Sequence, residues 1–155
     1  MQLPPGATRL HGSASVTSAE PNYLVQTTEQ FLDAAGLRVR FDIPRELPAA
    51  ALPGKVRHFL FLAAREALNN VSKHARADLV RLEIRVEAGG LRVAIEDNGC
   101  GFAPERTGAA GTHEGLDTMR RRMDEIGGQF RLTSRPGGGT RVEFFVPLQD
   151  EGGAP

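Results

Sequence analysis

The sequence predicts a two-layer α/β domain: a mixed, mostly antiparallel sheet with helices gathered on one face and a mobile loop in its second half. Three observations lead there. Apolar residues recur at helical spacing in three segments, apolar and polar residues alternate in five others, and the segments run helix, strand, helix, two strands, loop, helix, two strands. An order that mixes single strands with hairpins calls for a sheet that is neither purely parallel nor purely antiparallel.

The first helix is expected over Pro21 to Ala35, with Leu24, Val25, Phe31 and Leu32 on its apolar side and Gly36 as its stop. Leu37, Val39, Phe41 and Ile43 then alternate with Arg38, Arg40 and Asp42, the period of a half-buried strand, which Pro44 ends. After a proline-punctuated loop, a long helix is expected from Pro53 to His74, buried through Phe59, Leu60, Ala63, Ala67, Leu68 and Val71. Val80, Leu82, Ile84 and Val86 form one arm of a hairpin, Gly89-Gly90 its turn, and Leu91, Val93 and Ile95 the arm that returns to Asp97. Residues 98 to 113, rich in glycine and poor in bulky apolar side chains, read as a mobile lid. Leu116, Met119, Met123 and Ile126 mark the last helix, closed by Gly127-Gly128. A final hairpin pairs Phe130 and Leu132 with Val142, Phe144 and Val146 across Pro136 to Gly139.

The chain has 155 residues, 40% hydrophobic and 25% charged, enough for one core and too few for a second full domain. Residues 1–21, rich in proline, glycine, serine and alanine, read as a flexible linker, residues 22–148 as the domain and residues 149–155 as a tail. Lysine plus arginine and aspartate plus glutamate balance at 19 each, so the summed charge offers no argument for nucleic acid or an anionic membrane. The single cysteine, Cys100, permits no internal disulfide and fits a cytoplasmic setting. No apolar run approaches the roughly 20 residues that span a bilayer, so this segment is expected to make no membrane contact.

Four constellations carry chemistry. On the long helix, Glu66, Asn70, Lys73 and His74 share adjoining parts of one polar face. Magnesium takes oxygen ligands and keeps several waters, so the Asn70 amide oxygen and nucleotide phosphates make a plausible set, with Glu66 orienting or deprotonating a ligand water and Lys73 facing phosphate. A solvated helix face explains the same spacing. Asp97-Asn98-Gly99-Cys100-Gly101-Phe102 leaves a strand end through two glycines, which lets the Asp97 carboxylate face a flat donor such as the adenine amine while the backbone stays close. A plain Asp-Asn-Gly turn is the alternative. The Gly-x-Gly does not announce a dinucleotide fold, since the third glycine is missing.

Gly111-Thr112-His113-Glu114-Gly115-Leu116 opens a helix, where backbone amides attract phosphate and Gly115 permits close approach. Arg120, Arg121 and Arg122 follow, at least two of them as the solvent face of that helix. Gly137-Gly138-Gly139-Thr140 fits hairpin geometry by itself, and Thr140 could add a hydroxyl to the nucleotide pocket.

Taken in order, the runs Glu66 to Ala75, Asp97 to Phe102, Glu114 to Arg120 and Gly137 to Thr140 closely resemble the GHKL ATPase superfamily, and within it the histidine kinases that pair with response regulators of the nitrate-sensor type. The resemblance covers about residues 22 to 148. It implies a Bergerat fold that holds ATP between the sheet and a flexible lid, with ATP and Mg²⁺ as ligands. By the same resemblance Asn70 is the magnesium ligand, Glu66 the catalytic partner in the asparagine box, and Asp97 the reader of adenine. Lys73 and His74 correspond to the phosphate-proximal pair, Gly99 and Gly101 to the first glycine box, Gly115 and Leu116 to the second, and Gly139 and Thr140 to the third. The second box departs from the family pattern at His113, where another glycine is usual.

The implied activity is that of a protein-histidine kinase catalytic domain, donating the γ-phosphate to a histidine on a dimerisation domain outside this sequence. Its implied partners are that helical domain and a cognate response regulator, in a full-length homodimer with no nucleic acid. His11 has no acidic neighbour or helical pattern, and His58, His74 and His113 fall inside the nucleotide unit, so none is assigned as phosphoacceptor. A stand-alone serine kinase of the anti-sigma-factor kind and a non-catalytic nucleotide-sensing module share the fold and stand as alternatives.

Overall fold

The computed structural model describes residues 19–44, 53–87, 89–103 and 112–148. The linker up to residue 18, the proline-punctuated loop at 45–52, lid residues 104–111 and the tail 149–155 lie outside the described residues.

Three helices and five strands follow in the expected order: α1 (Ala19–Ala34), β1 (Arg38–Asp42), α2 (Gly54–Asn70), β2 (Leu79–Glu87), β3 (Gly90–Asp97), α3 (Thr112–Glu125), β4 (Gln129–Ser134) and β5 (Thr140–Pro147). α1 starts two residues before Pro21, which its first turn tolerates because the amides there lack intrahelical partners in any case. Gly36, at φ +73°, turns the chain into β1. The long helix does not run as one α-helix to His74. It widens after Asn70 into a π-helical turn, Val71–Ala75, and ends on Arg76 in the left-handed region at φ 51°. α3 begins at Thr112, so Gly115 sits inside its first turn rather than ahead of it.

The strands lie in the order β1-β2-β3-β5-β4. β1 runs parallel to β2, and α2 is carried in the crossover between them, while every other pair is antiparallel. Phe41, Val80, Leu82, Ile84, Val93, Ile95, Val142, Phe144 and Val146 form the inner face and join Leu32, Leu60, Leu68, Val71, Met119 and Met123 from the helices in one core. Ala63, Ala64 and Ala67 are buried on α2, and their small side chains let that helix sit close to its neighbours.

The opposite face is a carpet of alternating charge. Glu83, buried at its centre, receives Arg85 at 3.1 Å, Arg81 at 3.2 Å and Arg141 at 3.3 Å. Arg141 also reaches Glu96 at 2.9 Å and Glu143 at 3.1 Å, and Arg81 reaches Asp42 at 2.8 Å. Each cation here has an anion beside it, which keeps the face from becoming a one-signed patch.

Burial decides what these pairs contribute. Removing Glu83 takes away the buried anion that three arginines share, leaving Arg81 with Asp42 and Arg141 with Glu96 and Glu143, so Glu83→Ala is expected to cost about 1–3 kcal/mol in urea unfolding with an unchanged slope. Glu87 pairs with Arg92 at 2.8 Å on the exposed rim, where solvent screens the pair, and Glu87→Ala should leave the urea midpoint essentially unchanged.

Candidate functional site

The candidate residues fall into two groups. The first is built on α2 and α3. Gly115 is buried, and a Cβ placed on it would stand 2.6 Å from Glu66 Oε1 and 3.5 Å from both amide atoms of Asn70. The glycine thus lets the start of α3 rest directly on the Glu66 and Asn70 side chains, both half-buried. Lys73, in the π turn, is exposed. The wide turn re-aims everything after Asn70, so Lys73 does not continue the face that Glu66 and Asn70 share. The side chains of His74, Thr112, His113 and Glu114 lie outside the described residues.

The second is centred on Asp97, last in β3 and 6% exposed. One carboxylate oxygen accepts the Gly99 amide at 2.8 Å, and the Thr140 amide also donates to the group. Burial nevertheless pushes this carboxyl above the ordinary carboxylate range, against the pull of those two amides. The two turns beside it interlock: Gly137 N–H donates to the Cys100 carbonyl at 2.6 Å, and Gly101 and Gly139 both take positive φ, +59° and +72°. A Cβ on Gly139 would run into the Asp97 carbonyl, and one on Gly101 into the Arg135 and Gly139 carbonyls. Gly101 and Gly139 are therefore required by the close approach of backbone across the two turns, before any ligand is considered.

Leu116 packs against the core from the first half of α3. Of the three arginines that follow, Arg120 and Arg121 are exposed, and Arg120 and Arg122 lie over the rings of Phe130 and Phe59 at 5.6 and 5.9 Å. This stacking accounts for both without a phosphate.

Two residues of the site escape a reading by motif. Asn98 Oδ1 accepts the amides of Asp78 and Leu79 at 3.0 Å each, and Asn98 Nδ2 donates to Asp78, which ties the segment after the π turn to the end of β3. Ser134 is buried at the end of β4, where its hydroxyl accepts Phe102 N–H at 2.9 Å, donates to the Gly139 carbonyl at 3.1 Å and meets Thr140 Oγ1 at 2.8 Å. Its signal was the period of β4: Phe130, Leu132 and Ser134 share one face, which makes Ser134 an inward-facing polar residue.

The donor set suits magnesium held chiefly by phosphates. Among the described residues no three or more His, Cys, Asp or Glu cluster as a metal cage, whereas one amide and one carboxylate meet at Gly115. Among the described residues no helix is long and apolar enough to cross a membrane.

A helical layer over a mixed sheet, with a buried carboxylate at the end of β3 and an amide–carboxylate pair under the start of α3, defines a two-layer α/β sandwich. Residues 55–150 match the family described as histidine kinase-, DNA gyrase B-, and HSP90-like ATPase, and the chain belongs to that family. It is 33% identical over 122 residues to the sensor histidine kinase LiaS of Bacillus subtilis, covering 79% of this chain and 33% of the relative. It is 32% identical over 125 residues to the nitrate/nitrite sensor protein NarX of Escherichia coli, covering 80% and 20%. The chain thus spans a third or less of the length of these relatives. Its fold matches the histidine kinase domain of the Erythrobacter litoralis EL346 blue-light activated histidine kinase at a TM-score of 0.67 and 23% identity, covering 83% of this chain and 61% of that one. The Acinetobacter baumannii histidine kinase AdeS matches at a TM-score of 0.64 and 18% identity, with 85% and 64% covered.

Because the folded pKa of Asp97 lies above its unfolded value, this group favours folding below the unfolded pKa and loses that contribution as pH rises through the raised value. Melting curves from about pH 4 to about pH 7 should therefore show Asp97→Asn gaining on the wild type as pH rises. Gly115→Ala meets only the movable end of Glu66, so stability should stay within about 1 kcal/mol of wild type while Mg-ATP affinity falls. Gly139→Ala meets backbone at positive φ and should cost about 1–3 kcal/mol in the same unfolding assay.

Proposed function

We propose that this chain is the ATP-binding catalytic domain of a two-component sensor histidine kinase, bounded by residues 22–148, which holds Mg-ATP and donates the γ-phosphate to a histidine on a helical dimerisation domain of the same protein. The observation that carries the reading is a buried, inward-facing Asp97 at the end of β3 together with Glu66 and Asn70 gathered under Gly115. Family membership and the names of the relatives support it.

In this reading Asp97 accepts the exocyclic amine of adenine, a donor that suits a carboxylate already turned inward. Gly99, Gly101, Gly139 and Thr140 bring backbone close to the base, and Gly115 and Leu116 do the same at the phosphates. Asn70 would ligate magnesium, with Lys73 and His74 beside the phosphate chain. Magnesium supplies positive charge that offsets the negative charge of the phosphate oxygens. Glu66 orients the incoming imidazole or a ligand water and accepts a proton. The imidazole nitrogen forms the new bond to phosphorus, and the bond to the bridging oxygen breaks with its electron pair left on ADP. Most of the rate would come from position rather than covalent chemistry.

The domain would work on the cytoplasmic side, within a homodimer that passes phosphate to a cognate response regulator. A stand-alone serine kinase or a nucleotide sensor would share the pocket, and acid-labile phosphate on histidine separates the first reading from both.

Titration with Mg-ATP tests the pocket directly. Asp97→Asn should weaken affinity by roughly ten-fold or more, the loss expected for a hydrogen bond to a charged group. Undiminished affinity would refute the adenine assignment. Asn70→Ala should abolish phosphoryl transfer in the full-length kinase, and the isolated chain should bind nucleotide while labelling itself negligibly.

A further inference from the structure

Asp97, Thr140 and Ser134 stand side by side across three strands. Asp97 is paired with Thr140 between β3 and β5, and Thr140 with Ser134 between β5 and β4. All three continue the inward alternation of their strands, after Ile95, before Val142 and after Leu132. They form a polar row at the rim of an otherwise apolar face.

The direction of the hydrogen bonds along this row follows from counting protons. A serine hydroxyl carries one proton and two lone pairs. Around Ser134 Oγ, Phe102 N–H can only donate, at 2.9 Å, and the Gly139 carbonyl can only accept, at 3.1 Å. The single Ser134 proton therefore goes to Gly139, and one lone pair goes to Phe102. Either hydroxyl can donate at the 2.8 Å contact with Thr140 Oγ1, and with all three contacts made at once it is Thr140 that donates, into the remaining lone pair. Thr140 then has no proton left for anything else. To a ligand it offers only lone pairs, next to a carboxylate that, when ionised, also offers only lone pairs.

We propose that Ser134 is a positioning residue for base selection: by taking the Thr140 hydroxyl proton it fixes Thr140 as an acceptor beside Asp97, so that the rim selects a 6-amino purine over a 6-oxo purine. This rests on the nucleotide-binding reading above. A 6-amino group has two protons to share with such a row, whereas a 6-oxo group sets a third oxygen against two others and leaves N1–H as the one donor on that edge. Ser134 acts through Thr140 and does not itself touch the base.

The test compares dissociation constants of Mg-ATP and Mg-ITP, which differ at the 6-position and in the proton that the 6-oxo base carries on N1, on the 155-residue chain. Wild type should bind ATP more tightly. In Ser134→Ala the Thr140 proton is free to turn toward the base, so ITP should gain on ATP and the ITP-to-ATP ratio should fall by roughly three- to ten-fold, the worth of one hydrogen bond. Ser134→Thr, which keeps the hydroxyl, should hold the ratio. Thr140→Val should lower the ratio similarly, and adding Ser134→Ala to it should lower it no further. A purely structural role for Ser134 would weaken both nucleotides together and lower the melting temperature while leaving the ratio fixed, and that result overturns the proposal. If Ser134→Ala does not fold, Thr140→Val decides alone, an unchanged ratio overturning it. Failure of the broader reading is distinct: a wild type that binds neither nucleotide, or an Asp97→Asn that loses no ATP affinity, removes the pocket itself, whatever Ser134 does.

Discussion

A carboxylate buried at the end of a strand has to be surrounded by donors, and Asp97 draws two segments distant in sequence onto one point to obtain them. The Gly99 amide comes from the turn that follows it, and the Thr140 amide from the opening of β5. Satisfying both brings the 98–102 turn against the 135–139 turn, close enough that Gly101 and Gly139 must lack side chains, and Cys100 and Gly137 complete the contact through their backbones. Ser134 fastens the same junction from β4. The rim of the sheet is thus a consequence of one anion and its ligand-like shell of amides.

The helical side is organised by absence of bulk rather than by charge. Buried alanines keep α2 low, and Gly115 lets α3 lie across it, so that Glu66 and Asn70 are held at the crossing without leaving solvent reach altogether. The outer face of the sheet solves a different problem, covering apolar strands with arginine stems whose heads are neutralised by Glu83, Glu96 and Glu143. The two faces share strands and alternate residue by residue, which is why a single period-2 pattern encodes both.

That pattern made most of the architecture legible. Alternation of inward apolar residues with mostly polar ones marked all five strands, broken outward only at positions such as Ala94 and Phe145, and glycines at 36 and 127 marked helix ends where the chain turns to positive φ. The sheet order was not legible, because the pairing of β1 with β2 and the insertion of β5 between β3 and β4 depend on contacts that no local window contains. The π turn left no trace either: Val71 continues the apolar spacing of α2, and nothing in Val71–Ala75 distinguishes a wide turn from an ordinary one. Of the site, Asp97, Glu66, Asn70 and the glycines stood out by residue type at the edges of elements. Asn98 and Ser134 did not, since asparagine in a turn and serine in a strand are individually commonplace and their importance lies in which amides they meet.

The placement of β5 bears on how the molecule is made. Although β5 comes last in sequence among the five described strands, it is an interior one, with β3 on one side and β4 on the other. On the ribosome β4 has no neighbour to pair with, and Asp97 lacks one of its two amides, until the segment Thr140–Pro147 has emerged. Closure of the sheet and completion of the pocket rim are therefore a single late event, so a nascent chain halted before that segment carries its core uncovered along an open strand edge.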